Sequence, residues 1–510
     1  MFKYNINMNV CIIGGGVAGL SCAYALQELG NQVTIIEKNK QLGGFVRTEY
    51  DKLHYYTEHA PRVFFDNYYN FNKILKQIPL FFNNHETDKT LFDIYQPLGS
   101  NYLVSKYGLT TTSVFKVALK LNPIRILLLG IAILRYMTFC TKRLEKTADK
   151  VSVKRFIDSP RFRMLSHILG EPLEQLPVHK LVRLVEQNIS INQGLYVLKG
   201  PNQEYLFDNF ELYLKKIGVK IIKDSQVELI EKVGDMKYNI KTDKSLFKDF
   251  SKVVVATDLW NMINLFRDSN IFVDHNIFEL SSRTKSNQLG LSIYFNQPIN
   301  FKEKSIFAIE DSDWKLIVEP KDSNWKYKTK IGIWSVSIPD DRLLSTRLGK
   351  AMKDCSPNEI FQEVWYQIYS SAIFDVCEVP RQHIVPMHYR IWSGWDTNND
   401  FVVNKEPYFL NAVDTCSKRP GQFIGMKDIF LAGAYTKTSY YHYWVEGACE
   451  SGLKAAQLID YRVQCVEHQR LLKVIHRIDN FLCEKHLPSF FDISLFFVLV
   501  FIFKGGKFLK

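Results

Sequence analysis

The stretch that decides the fold lies near the start of the chain, at residues 10–19, and reads VCIIGGGVAG. Its first four residues are a continuous apolar run, as in a strand buried on both faces of a parallel sheet. Glycines in the pattern G-x-G-x-x-G follow, a helical periodicity runs to Leu29, and Gln32 to Glu37 (QVTIIE) reads as a second strand. These pieces form one βαβ unit. The sequence therefore predicts an α/β fold (α+β over the whole chain) with a Rossmann-type dinucleotide-binding domain.

Each glycine of the pattern has a physical task. Gly14 permits the tight turn, Gly16 lets a pyrophosphate approach the backbone, and Gly19 lets the helix pack closely on the sheet. The helix N-terminus presents its positive end to the phosphates. Glu37, about 20 residues on, can accept hydrogen bonds from ribose hydroxyls. The cofactor contacts predicted from this unit are Gly14, Gly15, Gly16, Ala18, Gly19, Glu37 and Lys38.

Composition excludes several other classes of protein. The net charge is +12, but no run of Lys and Arg is long enough for a nucleic-acid patch, so no specific nucleic-acid partner is predicted. The nine cysteines contain no C-x-x-C pair, which argues against a zinc site and a disulfide framework, and no metal is predicted. The first apolar run leads straight into glycines, unlike a cleaved targeting segment. We expect a reducing compartment, on the cytoplasmic side, and no secretion.

Two other apolar stretches could touch a membrane. Ile126 to Leu134 and Ile493 to Phe503 are both well short of the roughly 20 residues that span a bilayer, but either could lie in its interface. The alternative for the first is a buried or substrate-tunnel helix. The alternative for the second is a terminal segment packed on the core. Peripheral membrane association therefore stays one of two open interpretations.

A second glycine segment follows the βαβ unit. Residues 42–48 read LGGFVRT and place two glycines and an arginine just past Glu37. This segment resembles the second phosphate-contacting segment of the flavin amine oxidase superfamily, which includes monoamine oxidases, protoporphyrinogen oxidase and carotenoid desaturases. The resemblance implies that Gly43 and Gly44 cup the pyrophosphate of FAD, and that Arg47 offsets its charge or reaches the flavin ring.

The far end of the chain carries a matching signature. Residues 428–435 (DIFLAGAY) and 445–456 (VEGACESGLKAA) resemble the C-terminal flavin signature of the same superfamily. The resemblance implies that a helix starting near Glu446 aims its positive N-terminus at the flavin, and that its small residues let it lie close to the ligand. Two further strands match the family in outline. The implied contacts are Gly433, Ala434, Glu446, Gly447 and Ala448, with Val227 at the adenine and Ala256 beneath the cofactor.

The substrate side matches the superfamily less specifically. The predicted catalytic, substrate-facing residues are Tyr435, Trp444 and His59, with Trp444 at the position of an aromatic wall in amine oxidases. Packing on the core is the alternative for Trp444, and a structural role is the alternative for His59. Residues 58–65 (EHAPRVFF) look more like plant-type phytoene and zeta-carotene desaturases.

Two departures from the amine oxidase pattern concern the flavin itself. Amine oxidases hold a lysine that reaches flavin N5 through water. No cysteine has the usual setting for flavin attachment, so we expect FAD to bind non-covalently. The lysines that we cannot assign to the N5 position are Lys302, Lys304, Lys315, Lys321 and Lys326.

These features predict an FAD-dependent oxidoreductase that moves a hydride equivalent from a substrate C–H bond to flavin N5. The substrate is a small molecule, either an amine or a lipophilic polyprenoid-like compound, and oxygen or a quinone is the electron acceptor. The alternatives are an NAD-dependent Rossmann dehydrogenase and a flavin-binding structural or regulatory protein without turnover.

The predicted organisation is a discontinuous one, in which a helical and a mixed-sheet substrate domain interrupt the FAD-binding domain. The last segment is a tail that could associate with a membrane. The predicted parts are FAD-binding 1–110, helical substrate 111–194, FAD-binding 195–265, mixed-sheet substrate 266–404, FAD-binding 405–460 and tail 461–510.

Overall fold

The structure is a computed structural model that describes residues 7–111, 122–188, 194–234, 237–397 and 400–505. The chain divides into two compact units. The larger unit comprises residues 1–112, 193–410 and 419–467, and the smaller unit comprises residues 113–192, 411–418 and 468–510. The predicted division into FAD-binding and substrate parts stays a prediction.

The described helices are numbered in chain order. Those of the larger unit are α1 (Val17–Glu28), α2 (Tyr69–Leu75), α7 (Asp208–Lys216), α8 (Leu259–Asp268), α9 (His275–Arg283), α10 (Lys321–Asn324), α11 (Pro357–Tyr369) and α12 (Val445–Ile459). Those of the smaller unit are α3 (Pro123–Met137), α4 (Thr141–Thr147), α5 (Pro160–Ile168), α6 (Val178–Asn188), α13 (Lys473–Glu484) and α14 (Phe490–Gly505).

A five-stranded parallel sheet positions the predicted cofactor site. Residues alternate along its central strand, so that Val10 and Ile12 join the core under α1 and α12 while Cys11 and Ile13 join the core under α8. Helices thus cover both faces, which is why these strands read as continuous apolar runs. The strands lie in the order Lys220–Ile222, Gln32–Ile36, Asn9–Ile13, Lys252–Val255 and Ile429–Leu431.

A seven-stranded mixed sheet forms the second layer of the larger unit. Strands Leu289–Phe295 and Gly332–Ile338 lie within the predicted mixed-sheet region and pair antiparallel. Ser100–Ser105 and Ser305–Ile309 pair in parallel. The full order is Gly108–Thr111, Ser100–Ser105, Ser305–Ile309, Ile317–Pro320, Gly332–Ile338, Leu289–Phe295 and Pro386–Ile391.

The remaining strands form small sheets. Two sheets have three strands, namely Phe64–Phe65, Leu195–Leu198 and Tyr95–Pro97, and then Val227–Val233, Lys237–Thr242 and Leu246–Phe250. The two-stranded pairs are Thr48–Tyr50 with Tyr56–Glu58, Pro79–Phe82 with His85–Thr90, Lys285–Ser286 with Tyr408–Phe409, and Trp395–Asp396 with Val403–Asn404.

The smaller unit is built of helices around an apolar core that includes Tyr136, Leu144 and Val182. The apolar run predicted at 126–134 lies within α3, and the run at 493–503 lies within α14. Both helices leave large apolar side chains exposed among the described residues, so α3 is not fully buried. The substrate-tunnel helix and the tail packed on the core stay predictions. No helix in the described part of the chain is both long and apolar enough to cross a bilayer.

Candidate active site

The first glycine segment forms a turn that only glycine tolerates. Gly14 has a φ of +109°, and its N–H donates to the carbonyl of Ile36 at 2.8 Å. A Cβ at this position would lie 2.7 Å from the carbonyl oxygen of Ala256, and a Cβ at Gly19 would lie 2.0 Å from that of Gly14. The turn is therefore closed between two strands of the sheet, and α1 starts directly after it.

Glu37 lies at the end of the second strand, where the sequence places it. Its carboxylate is buried and accepts from the N–H of Gly15 at 2.7 Å and from the N–H and side chain of Asn39 at 2.8 and 2.9 Å. Its main chain bonds to Ile222 and Ser225 at 2.8 and 3.0 Å, just before Val227 opens a strand. Since a carboxylate offers about four acceptor sites, capacity for a ribose hydroxyl remains.

The two glycine segments are in direct backbone contact. The N–H of Gly43 donates to the carbonyl of Gly15 at 2.9 Å. A Cβ at Gly44 would lie 3.2 Å from the Cα of Gly16. Because neither segment carries side chains here, the pair makes a narrow backbone cradle at the N-terminus of α1. A pyrophosphate fits such a cradle, which combines close backbone approach with a positive helix end.

The basic residues beside this cradle already have carboxylate partners. Arg47 is buried and pairs with Glu49 at 2.9 Å and with Glu406 at 3.2 Å, and Lys38 pairs with Glu406 at 3.0 Å. The predicted charge compensation of the pyrophosphate by Arg47 therefore competes with two protein carboxylates. The guanidinium also donates to the carbonyl of Gly44 at 3.0 Å, so that it fixes the second glycine segment.

The C-terminal signature meets the sheet at Gly433. This glycine has a φ of +140°, and its N–H donates to the Ser451 hydroxyl at 2.8 Å. The glycines of α12 pack closely on protein, and their predicted approach to the ligand stays a prediction. A Cβ at Gly447 would lie 2.0 Å from the carbonyl oxygen of His442, and one at Gly452 would lie 2.0 Å from that of Ala18 in α1. These glycines let α12 pack on protein; Ala448 keeps part of its surface open.

The Glu446 side chain forms its hydrogen bonds with groups of the protein. Its carboxylate is completely buried, and it accepts from the backbone N–H groups of Asn70 and Phe71 at 2.9 and 3.0 Å and from the Asn70 amide at 2.8 Å. These N–H groups belong to the first turn of α2, which would otherwise lack acceptors. Glu446 therefore ties α12 to α2, and a contact with the cofactor would have to come from its main chain.

Two charged residues that the sequence did not single out hold the loop before α12. Arg419 is buried and donates to the carbonyls of Ala434, Tyr435 and Tyr441 at 2.6, 3.1 and 2.8 Å. Glu450, also buried, accepts from the N–H of Tyr440 at 2.9 Å. They fix both ends of the segment between Gly433 and α12. No motif surrounds Arg419, so only its buried location identifies it.

His59 lies in an aromatic pocket, and its contact with Arg62 indicates which ring nitrogen carries the hydrogen. Its ring centroid is 5.2 Å from that of Phe45, 5.0 Å from Trp392 and 5.3 Å from Tyr408. Arg62 lies 3.0 Å from Nδ1, and a guanidinium can only donate. Burial, with the charge of Arg62, holds the pKa of His59 well below its usual value. The ring is therefore neutral and carries its hydrogen on Nε2, which is buried without a partner in the described structure.

Among the described residues, Arg62 contacts a carbonyl group and a histidine but no carboxylate. Its Nη2 donates to the carbonyl of Phe45 at 2.7 Å as well as contacting His59, while its Nε is buried without an acceptor among the described residues. Burial lowers the pKa of Arg62, against the opposing charge of Glu58. A buried guanidinium remains charged and calls for an anion. The cofactor and the substrate are the groups that could supply one.

Trp444 and Tyr435, the other two predicted substrate-facing residues, have different surroundings. Trp444 is partly exposed and stacks on Phe65 at 5.3 Å and on His442 at 4.9 Å. Tyr435 is fully buried in the core under α8, and its ring contacts Gly433. A chain of rings links His59 to Tyr408 and then to the loop before α12. The structure thus brings His59 towards Trp444 and leaves Tyr435 in a packing position.

Of the five lysines considered for flavin N5, Lys321 alone is buried. Its ammonium pairs with Glu58 at 2.8 Å and with Glu319 at 2.7 Å. Tyr56 donates to the other oxygen of Glu58 at 2.6 Å. Glu58 directly precedes His59 in the sequence, and its carboxylate is engaged by Lys321 and Tyr56.

The smaller unit also buries polar side chains, among them a group around Asp149. Potential ligand atoms of Asp149, His179 and Cys416 lie within 4.8 Å of one another. Asp149 accepts from the N–H of Cys416 at 2.9 Å, and burial lowers the pKa of His179. The expectation of no metal stays a prediction.

Comparison with known proteins matches the chain to one family model. Residues 17–460 match the model described as flavin containing amine oxidoreductase. An L-amino-acid oxidase of Siganus canaliculatus is 27% identical over 249 residues, which cover 45% of each chain. An L-amino-acid oxidase of Crotalus adamanteus is 48% identical over 52 residues, or 10% of each chain. The chain thus spans less than half the length of these curated relatives.

Solved structures resemble the chain in fold. A putrescine oxidase, solved with putrescine bound, is 13% identical with a TM-score of 0.62, and the match covers 89% of this chain and 99% of that one. A cyclohexylamine oxidase from Brevibacterium oxydans IH-35A is 13% identical with a TM-score of 0.62 and covers 89% and 98%. The predicted fold class and the predicted membership of the flavin amine oxidase superfamily are confirmed, and the nicotinamide alternative finds no support. The chain therefore belongs to the flavin-containing amine oxidoreductase family.

Proposed function

We propose that this protein oxidises an amine that carries a carboxylate, such as an α-amino acid, with non-covalently bound FAD and molecular oxygen. The observation that carries the proposal is two buried N–H groups without an acceptor among the described residues, Nε–H of Arg62 and Nε2–H of His59, on side chains that contact each other. A bidentate bond to a guanidinium suits a planar carboxylate. The two donors would fix the acid end of the substrate and so position its Cα–H bond.

The reaction balances with these components. When bound, the flavin supplies a two-electron acceptor for the hydride that leaves Cα. The substrate nitrogen loses a proton and forms an imine, which water hydrolyses to a 2-oxo acid and ammonium. Oxygen takes the two electrons and two protons and leaves as hydrogen peroxide. Phe45, Trp392 and Tyr408 would keep water away from the reacting bond, because their rings surround His59.

Cysteine placement supports non-covalent binding. Cys449, the cysteine within α12, is fully buried in the core shared with α1, and burial raises the pKa of its thiol. A protonated thiol facing the core is not placed for attachment to a flavin. The nine cysteines form no disulfide, which supports the proposed reducing, cytoplasmic-side location.

The test compares substrates that differ only in the carboxylate. Wild-type protein is mixed anaerobically with L-amino acids, with the corresponding decarboxylated amines and with a polyprenoid, and bleaching of the flavin is followed. We expect amino acids to bleach it, and Arg62→Met to lower kcat/KM for them by about 100-fold, the loss of a charge-assisted bidentate contact. Decarboxylated amines should change by less than about threefold with the same variant.

A matched control is Arg342→Met, because Arg342 is exposed in the same unit and pairs with Asp340, two positions away. It should leave kcat/KM unchanged. Bleaching by the polyprenoid alone would replace the proposal with a lipophilic substrate and a quinone acceptor. No bleaching by any of the three classes would favour a flavin-binding protein without turnover.

A further inference from the structure

The net charge of the protein resides in one of its two units. The smaller unit holds 22 of the 65 Lys and Arg residues but only 10 of the 53 Asp and Glu residues. Its net charge is therefore +12, and the larger unit is neutral. The positive charge is thus concentrated in the smaller, helical unit, which indicates an anionic partner for that unit.

The same unit exposes an apolar helix face. In α3 the exposed fractions are 63% for Leu127, 44% for Ile131 and 60% for Leu134. With Ile124 and Leu128, which are also exposed, these residues follow the i, i+3, i+4, i+7 spacing of a single face. The opposite side of α3 packs into the core of the unit through residues such as Tyr136 and Met137. The helix is thus apolar on both sides, and among the described residues only one side packs on protein.

A second apolar helix adjoins the end of that face. In α14, Phe496 and Phe497 are 62% and 64% exposed, and Leu495 and Val498 are exposed as well. Four consecutive exposed apolar residues point in every direction around the helix axis. Arg135, next to Leu134, makes two bonds of 2.8 Å to Asp492 at the start of α14. The ion pair joins the base of α14 to the end of the exposed α3 face.

Basic side chains accompany these apolar ones. Arg125 is exposed on α3, and Lys142 and Arg477 line one open depression beside α4 and α13. Lys473 and Lys485 are exposed at the two ends of α13. Apolar side chains flanked by exposed Lys and Arg are the composition of a helix that lies in the interface of an anionic bilayer.

We propose that the smaller unit docks on an anionic lipid surface, with the exposed side of α3 and the body of α14 inserted among the lipids and the basic residues at the headgroups. Neither helix spans the bilayer, so the association is peripheral. Charge complementarity selects the lipid surface over a second copy of the chain, because two units of net charge +12 repel each other. This proposal is independent of the substrate.

The test is sedimentation of the FAD-loaded full chain with vesicles of phosphatidylcholine, with and without phosphatidylserine. We expect binding to the anionic vesicles that weakens as salt rises. The combined variant Leu127→Gln, Ile131→Gln and Leu134→Gln should bind at least about tenfold more weakly, since three side chains no longer enter the apolar phase. Glutamine is a good helix former, and a retained flavin spectrum verifies folding.

A matched control is Leu344→Gln, since Leu344 is 66% exposed in the larger unit. It should bind the vesicles like wild type. The variant Phe496→Gln with Phe497→Gln tests α14 separately and should also lose binding. Wild-type protein that stays in the supernatant with anionic vesicles would overturn the proposal. So would a wild-type dimer that the triple variant converts to monomer, because the α3 face would then be an interface between copies.

Discussion

Replacing Glu446 should destabilise the protein through α2 and leave the flavin site intact. The carboxylate is fully buried and accepts the N–H groups of Asn70 and Phe71. In Glu446→Ala both donors lose their acceptor, and each buried unpaired N–H costs about 1–3 kcal/mol, so the loss is about 4 kcal/mol. For a unit of roughly 380 residues this lowers Tm by about 5 °C. Glu446→Gln keeps one acceptor oxygen and should lose about half as much.

The assay is thermal unfolding of the apoprotein and of the FAD-saturated protein, together with titration of FAD. Both forms should show the same drop in Tm, and the Kd for FAD of Glu446→Gln should stay within about threefold of wild type. The control Glu467→Ala, at a carboxylate 64% exposed, should change stability by less than about 0.5 kcal/mol. An apoprotein of Glu446→Ala that melts like wild type, combined with weaker FAD binding, would refute the reasoning.

Three further predictions follow from packing and protonation. Gly452→Val should lower the free energy of unfolding in urea by at least about 1–3 kcal/mol, because its Cβ would lie 2.0 Å from the carbonyl oxygen of Ala18. The control Gly130→Ala, in open space within α3, should raise it by about 0.5–1 kcal/mol. The folded state holds the pKa of His59 below its usual value, so acid favours the unfolded state, which binds the proton more readily. As pH falls below about 6.5, wild type should lose stability relative to His59→Gln by at most about 1.4 kcal/mol per pH unit. Equal acid sensitivity of the two proteins would contradict this. Tyr435→Phe should retain kcat within about threefold in the peroxide assay, since its ring packs in the core, and a larger loss would restore Tyr435 to a catalytic role.

The sheet that carries the cofactor could be predicted because its signals are local. Residues 10–19 contain a strand, a turn and the start of a helix within ten positions, and Gly433 follows a short buried strand in the same way. Each glycine can be interpreted by itself, because a side chain at its position would clash with a nearby atom. At Gly19, for example, a Cβ would lie 2.0 Å from the carbonyl oxygen of Gly14. Backbone geometry of this kind requires glycine, so it can be recognised in the sequence.

The partners of the charged residues could not be predicted in the same way. Glu446 contacts residues that lie about 375 positions earlier, and Arg419 binds carbonyl groups, which carry no sequence signal. The sequence also assigned Arg47 to the phosphate, while the fold supplies it with Glu49 and Glu406. The apolar run at 126–134 located α3 but not its exposed side, because both sides of that helix are apolar.

The central claim is that Arg62 and His59 hold a substrate carboxylate beside a flavin in this fold. It is tested most directly by the absorption spectrum of the purified protein under anaerobic conditions, recorded before and after addition of an L-amino acid and then of its decarboxylated amine. The account predicts flavin bands that the amino acid bleaches rapidly and the amine slowly, with the difference abolished in Arg62→Met. A protein that binds no flavin, or one that amine and amino acid bleach equally fast, would contradict it.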